Sequence, residues 1–368
     1  MEVKMGYIKQ IDFLRAVAIL AVVTTHWSSP HSLFYEISTA ISGPFIFFTI
    51  SGFLITRILI SERLLAEVSH QNKLTVFKNF FIRRGLRIFA IYYLAIIIVH
   101  FLNQDNLSNY YSYLTYTTNF HQNATQSWGV LPHLWTMAVE EQFYIFWPFI
   151  ILFIPQKLLL PTIVLFILIG IGSRVILETN DFAFTLPYTC FDALGLGALL
   201  AWFQLFKFNY LPKLFKLLGI CAIASTGCLI WSIGHQAHLY IFHRTFIAIV
   251  TSWTLLFFIV RRNYLTSKYT TGLENTLSFI GKISYGIFLF HIPLIEHSNK
   301  ILGPVNKLIL GNHQSNTIFL LENFMLLILI SWLSWKFFEL PISNLKRYFK
   351  TEKAPALQPV ATVKAVGL

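Results

Sequence analysis

Apolar residues fall along this chain in about ten long runs, near residues 11–30, 39–60, 80–102, 134–154, 158–178, 189–206, 214–233, 242–261, 277–298 and 317–340. Each is close to the roughly 20 mostly apolar residues that a helix needs to cross a bilayer. Charge interrupts the first, third and ninth runs, and a short polar turn around Gly234 separates the seventh from the eighth. The pattern predicts an all-α, polytopic transmembrane bundle of about ten helices over residues 1–345. A cytoplasmic tail, 346–368, follows, and from about Lys350 its composition reads as disordered.

Composition agrees with lipid as the solvent. Of 368 residues, 55% are hydrophobic, 17% aromatic and only 12% charged, and the mean hydropathy is +0.62. Soluble domains carry about 25% charge, so too few polar residues remain to coat a water-exposed surface. No stretch has soluble composition for long enough to form a second domain. The net charge of +12 could suit nucleic acid, but the basic residues cluster at the edges of apolar runs, which fits a membrane surface and no nucleic acid. Cys190, Cys221 and Cys228 lie inside apolar segments, with neither a disulfide framework nor metal-ligand spacing. Lys4 and Lys9 before an apolar run look like a signal peptide. No A-x-A site follows, and Asp12 and Arg15 sit inside the run, so the segment reads as an uncleaved first helix.

Loop charges give the orientation. With the N-terminus inside, inner segments hold Arg57, Arg63, Lys73, Lys78, Arg83, Arg84, Lys157, Lys207, Lys213 and Lys216. Arg261, Arg262 and Lys268 follow, then Lys346, Arg347, Lys350, Lys353 and Lys364 in the tail. Outside fall only Lys300, Lys307 and, marginally, Arg244, and the stretch from Asn103 to Pro132 has no Lys or Arg. This positive-inside asymmetry predicts both termini in the cytoplasm. The outer loop from Asn103 to His133 is rich in Tyr, Asn, Thr and Gln, side chains suited either to stacking on a sugar or to an interfacial belt.

Ionisable groups at membrane depth are costly and point to function. In the first run, Arg15 and His26 are eleven residues apart, so they share one helix face about 16 Å apart along the axis. The fourth run carries the adjacent pair Glu140 and Glu141, which differ by about 100° around the axis and cannot share one role. Counted from outside, both fall at a depth near that of His26, where a carboxylate can orient a histidine. Ser51-Gly52 permits close backbone approach within the second run. Arg83 and Arg87 share a face at the inner end of the third, with Arg84 beside them, and bidentate arginines suit phosphates. His291 in the ninth run reaches about the depth of His26. Glu339 ends the tenth at the inner face, in reach of an arginine.

Taken in order, these pieces resemble the acyltransferase-3 family of integral membrane acyltransferases. Its D-x-L-R and R/K-x10-H motifs match Asp12, Leu14, Arg15 and His26. S-G-F matches Ser51-Gly52-Phe53, and R-x-x-R-I matches Arg84 to Ile88. L-W-S-L-x-V-E-E-Q-F-Y matches Leu134 to Tyr144, including Trp135, with Thr136 and Met137 substituted. S-Y-x-x-Y-L-x-H-x-P appears as Ser284 to Pro293, and E-x-P as Glu339 to Pro341. In the family's R-x-D element of the sixth helix, Asp192 remains but Cys190 stands where the arginine is usual. The length fits the stand-alone form, without an extracytoplasmic hydrolase-like domain.

The resemblance implies an acyltransferase of a bacterial inner membrane, with an acyl donor, acetyl-CoA first, on the cytoplasmic side and a glycan such as O-antigen outside. Acetyl-CoA is then a substrate, with no permanently bound cofactor and no metal. Arg15, Arg84, Arg87, Ser51 and Gly52 are the expected donor site. His26, with Glu140 or Glu141 orienting it, is the expected catalytic centre, and Asp12, Trp135, Tyr144 and His291 are supporting or substrate-binding. Two rivals remain. A transporter or flippase would hold buried charge in broken helices or inverted repeats, and no repeat stands out. A glycan polymerase would need basic outer loops, which are nearly bare here.

Overall fold

The computed structural model describes residues 8–102, 110–177, 179–232, 240–260, 271–310 and 316–349. Among them every regular element is helical. The first half holds α1 (Lys9–Trp27), α2 (Leu33–Ile41), α3 (Gly43–Val68), α4 (Lys73–Leu102), α5 (Tyr110–Leu114), α6 (Thr118–Thr125) and α7 (Leu134–Phe153). The second holds α8 (Gln156–Ile176), α9 (Phe191–Phe206), α10 (Leu211–Ser232), α11 (Tyr240–Val260), α12 (Thr271–Leu310), α13 (Asn316–Ser334) and α14 (Leu340–Asn344). Eight helical segments among the described residues are long and apolar enough to cross a membrane. The two further predicted runs, α1 and α7, fall short of that composition because they carry the charges. The turn around Gly234, the basic residues Arg261, Arg262 and Lys268, and the tail from Lys350 onward lie outside the described residues, as does the side chain of Lys307.

Helix directions follow the threading that ten successive crossings require. α1 and α12, the first and ninth, are parallel. The Asp12 carbonyl abuts Gly281 at one end, and the Trp27 indole N–H donates to the His291 carbonyl (3.1 Å) at the other. α3 and α7, the second and fourth, are also parallel. Their contacts run from Ser51 with Glu140 (2.9 Å) through Thr56 with Trp147 (2.8 Å) to Arg63, which donates to the Ile151 and Ile154 carbonyls (2.8 and 2.7 Å). That last contact caps the C-terminal end of α7, whose final carbonyls have no helical partner.

The interior is aromatic, with Trp147, Tyr92, Tyr144, Phe48, Phe53 and Phe143 fully buried. α10 turns Leu217, Ile220 and Ile223 outward, as a helix facing lipid does. Where α3 crosses α9, Gly52 faces the Leu194 carbonyl and Gly197 faces the Thr49 carbonyl, so neither position has room for a Cβ. Small residues let membrane helices approach this closely. Several residues expected as inner-loop charge are instead buried or half-buried tertiary partners. Arg57 and Arg63 lie within α3, and Arg83 pairs with Glu62 and donates to the Asn79 carbonyl (3.2 Å).

Candidate active site

Inside the bundle a cavity of about 90 Å³ is lined by Arg15 of α1, Ser51 of α3, Arg84 and Arg87 of α4, Glu140 and Tyr144 of α7, and Ser284, Tyr285 and Phe288 of α12. Thr136 also lines it, and its remaining wall is apolar, with Pro44, Phe47, Phe48, Ile50, Leu54, Ile88 and Met137. Arg84 and Arg87 reach it together because residues three apart share a helix face. Arg83, expected to share that face with Arg87, is instead engaged by Glu62. The Arg84 guanidinium lies 4.0 Å from the centre of the Tyr144 ring. The Tyr144 hydroxyl lies 2.9 Å from Ser51 Oγ and 3.0 Å from Glu140 Oε2, and Ser51 Oγ donates to Glu140 Oε1 at 2.9 Å. Glu339, at the end of a π-helical turn (Trp335–Glu339), acts electrostatically on Arg87 and Arg15. Single π turns often mark functional positions. Asp12 interacts electrostatically with Arg15, Lys282 and Arg87 of the same charged layer.

The catalytic set expected from sequence is rearranged. Glu140 belongs to the arginine layer, not to His26. Seven residues, about 10 Å of helix, separate it from His133, which stands at the N-cap of α7 and is the residue there that meets the other histidines. Glu141 is 5% exposed, with Oε1 lacking a hydrogen-bond partner among the described residues. It acts electrostatically on Arg84 and on Tyr92, Tyr116 and Tyr285. The neighbour of His26 is His291, with ring centroids 5.2 Å apart. His133 lies beyond it, 4.8 Å from His291 and 5.1 Å from Phe288. His26 is exposed, whereas His291 and His133 are buried at 0% and 3%. Phe288 lines the cavity and also packs against His133 and His291, so it stands between the cavity and these two buried histidines. Gly52, expected at the donor site, points away from the cavity into the α9 contact. Trp135 backs the cavity wall, edge-on to Phe48 and to Phe184.

Two further features were missed or misread in the sequence. Asp192 does have an arginine. Arg174 of α8 donates to both carboxylate oxygens (2.7 and 2.8 Å) and to Thr245 (2.6 Å), so the charge absent at Cys190 is supplied by a neighbouring helix. An arginine inside the apolar run 158–178 was the available signal. In the outer loop, residues 103–109 lie outside the described residues, and the buried amides of the rest serve the fold. Asn119 and Gln142 bond each other (2.9 and 3.1 Å), and Gln122 donates to the Trp128 and Pro132 carbonyls (3.0 and 3.1 Å). Burial pushes the Tyr113 phenol above its usual range, against the opposing pull of the Leu131 and Val130 amides.

The family model described as an acyltransferase domain matches residues 8–337, and the chain belongs to that family, acyltransferase-3. Peptidoglycan O-acetyltransferase OatA of Listeria monocytogenes is 28% identical over 94% of this chain and 57% of its own length. O-acetyltransferase OatA of Staphylococcus aureus is 26% identical over 94% of this chain and 58% of its own. The chain thus spans little more than half the length of these relatives. No solved structure matches it.

Proposed function

We propose that this member of the acyltransferase-3 family is a multi-pass inner-membrane O-acetyltransferase. It carries an acetyl group from cytoplasmic acetyl-CoA to a hydroxyl of a cell-surface polysaccharide outside. Peptidoglycan sugars are the first acceptor class because a relative's name specifies peptidoglycan, and O-antigen sugars are the second. The observation that carries the reading is that one cavity is lined by Arg15, Arg84 and Arg87 together, with Phe288 of its wall packed against His133 and His291, the latter the neighbour of the exposed His26.

Guanidinium groups bind phosphate oxygens bidentately, so the arginine layer suits the phosphates of the donor. The extended pantetheine arm then runs outward along the Arg15–His26 face, about 16 Å. At its end His26 is the general base. It takes the proton of the sugar hydroxyl as that oxygen attacks the thioester carbonyl. The new C–O bond forms, the C–S bond breaks, and the proton passes to the departing thiolate. General bases contribute about 10²–10⁴-fold. Glu140, hydrogen-bonded by Ser51 beneath Arg84, keeps the arginine layer partly neutralised, so it holds a polyanion without trapping it.

Mass spectrometry of surface glycans tests this. A deletion strain is complemented with wild type, His26→Ala or empty vector. An acetyl-sized mass that appears with wild type alone supports transfer and its dependence on His26. Identical glycans in all three, with protein confirmed in the membrane, would return the transporter reading to first place.

A further inference from the structure

His291 is fixed by its own backbone. Its Nδ1 lies 2.7 Å from the Phe288 carbonyl oxygen, one turn back on α12. A carbonyl only accepts, so Nδ1 carries the proton and Nε2 keeps its lone pair. His291 is 0% exposed, and Nε2 meets no donor among the described residues. A buried acceptor with no partner is uncommon enough to need an explanation.

The group placed to meet it is His26. The two rings are 5.2 Å apart, centroid to centroid, and tilted by 50°. The next residue on α1, Trp27, is tied to His291 itself through the 3.1 Å bond to its carbonyl. The backbones carrying the two rings are therefore clamped to each other. A centroid separation of 5.2 Å lets a nitrogen of each imidazole come within hydrogen-bond reach of the other when the two face each other.

His133 lies on the far side of His291, with neither ring nitrogen hydrogen-bonded among the described residues. A proton relay from His26 through His291 to His133 would need an exit. The small space behind His133 is walled by Tyr92, Ala95, Ile96, Val99, Leu131 and Leu289. The only hydroxyl there, that of Tyr92, already donates to the Tyr113 carbonyl (2.8 Å). Positioning needs no exit.

We infer that His291 is the positioning residue of His26: its Nε2 accepts a hydrogen bond from the protonated nitrogen of His26 and leaves the other nitrogen free as the base toward the acceptor. This rests on the reading of His26 as general base given above. When His26 takes the hydroxyl proton it becomes a charged donor, and charge-assisted hydrogen bonds are the stronger ones. The bond to Nε2 thus tightens as the transition state forms, in the place where a carboxylate was expected. The proton stays on His26 until the thiolate removes it, and His291 gains and loses none. His133, edge-on to His291 and Phe288, keeps the His291 ring in place.

The test uses the full chain with ¹⁵N-labelled histidine in lipid nanodiscs, as wild type, His291→Phe, His291→Gln and His26→Ala. Ring-nitrogen NMR is read beside the initial rate of glycan acetylation in membrane vesicles supplied with acetyl-CoA, at matched membrane abundance and with acetyl-CoA binding as the folding check. In wild type, one histidine is protonated at Nδ1 only and its signal disappears in His291→Phe, while His26 is a single tautomer. In His291→Phe the His26 signal becomes a tautomer mixture, and the rate falls about 10- to 100-fold, part of the 10²–10⁴ due to the base, with KM for acetyl-CoA unchanged. His291→Gln, whose amide oxygen still accepts, recovers to within about threefold of wild type. An unchanged His26 tautomer and rate in His291→Phe, or a His291→Gln as slow as His291→Phe, overturns the positioning role while inactive His26→Ala leaves the base intact. An active His26→Ala overturns the reading of His26 itself.

Discussion

The Arg84 guanidinium lies over Tyr144, 4.0 Å from the ring centre, and the same phenol reaches Ser51 at 2.9 Å. One arginine is thereby oriented by an aromatic face while its charge remains available to the cavity. Cation–π contacts of this kind contribute about 0.5–2 kcal/mol and favour a planar guanidinium. They also fix the direction in which the donors of Arg84 point.

Replacing Arg84 therefore separates charge from geometry. Arg84→Lys keeps the charge but loses the stacked fork, and Arg84→Ala loses both. Binding of acetyl-CoA to purified protein, followed by calorimetry, is expected to weaken about tenfold for the lysine variant and about 100-fold for the alanine variant, each tenfold being about 1.4 kcal/mol. Equal binding by all three proteins would remove Arg84 from the donor site.

Glu140 offers a complementary change. Glu140→Gln retains an oxygen that accepts from Ser51 and removes one negative charge from beside Arg84 and Arg15. Donor binding is expected to tighten severalfold and to become more salt-sensitive, because the arginine layer has lost a competing anion. Turnover is expected to fall, since product CoA then leaves more slowly. A variant with unchanged affinity and unchanged salt slope would place Glu140 outside the donor's field.

What the sequence could and could not convey follows from how each relationship is built. Arg15 and His26 lie on one helix, so their spacing alone fixes a shared face and a separation; Arg15 lines the cavity, and His26 meets His291 beyond it. The ten apolar runs likewise need only local composition. Relationships between helices were less legible. His133 and His291 meet across α7 and α12, and no spacing within either helix reveals it. Arg174 reaches Asp192 from another helix, so the gap at Cys190 looked like a loss. Glu140 was expected beside His26, but its partners Ser51 and Arg84 stand on α3 and α4, and no spacing within α7 reveals them. Its companion in the site is an arginine, not a histidine.

Gly52 illustrates a motif residue whose role is packing. A Cβ there meets the Leu194 carbonyl, and backbone cannot yield as a side-chain tip can. Overpacking of this kind costs about 1–3 kcal/mol. Gly52→Ala is expected to lower the melting temperature in detergent by several degrees, while the folded fraction binds acetyl-CoA as wild type does. Weakened binding at full thermal stability would instead return Gly52 to the donor site.

The buried pair of Arg174 and Asp192 gives the most discriminating stability experiment. Both oxygens of Asp192 accept from the guanidinium, Thr245 donates to Asp192 Oδ2 at 2.6 Å, and Asp192 is 0% exposed. Removing one member leaves a charge with no counter-ion in a low-dielectric interior, which costs about 3–5 kcal/mol. Removing both in favour of apolar groups of similar volume is often nearly neutral. Arg174→Met and Asp192→Leu alone are each expected to lower the melting temperature strongly and to reduce membrane abundance. The double variant is expected to recover most of the loss, a non-additivity that a thermodynamic cycle reads directly. If the double variant is stable and still acetylates glycan, the pair is a structural link between α8, α9 and α11. If it is stable but inactive, with acetyl-CoA bound normally, the charge pair also serves the outer half of the reaction. Additive losses would show that the two side chains stabilise the bundle independently, despite their bidentate contact.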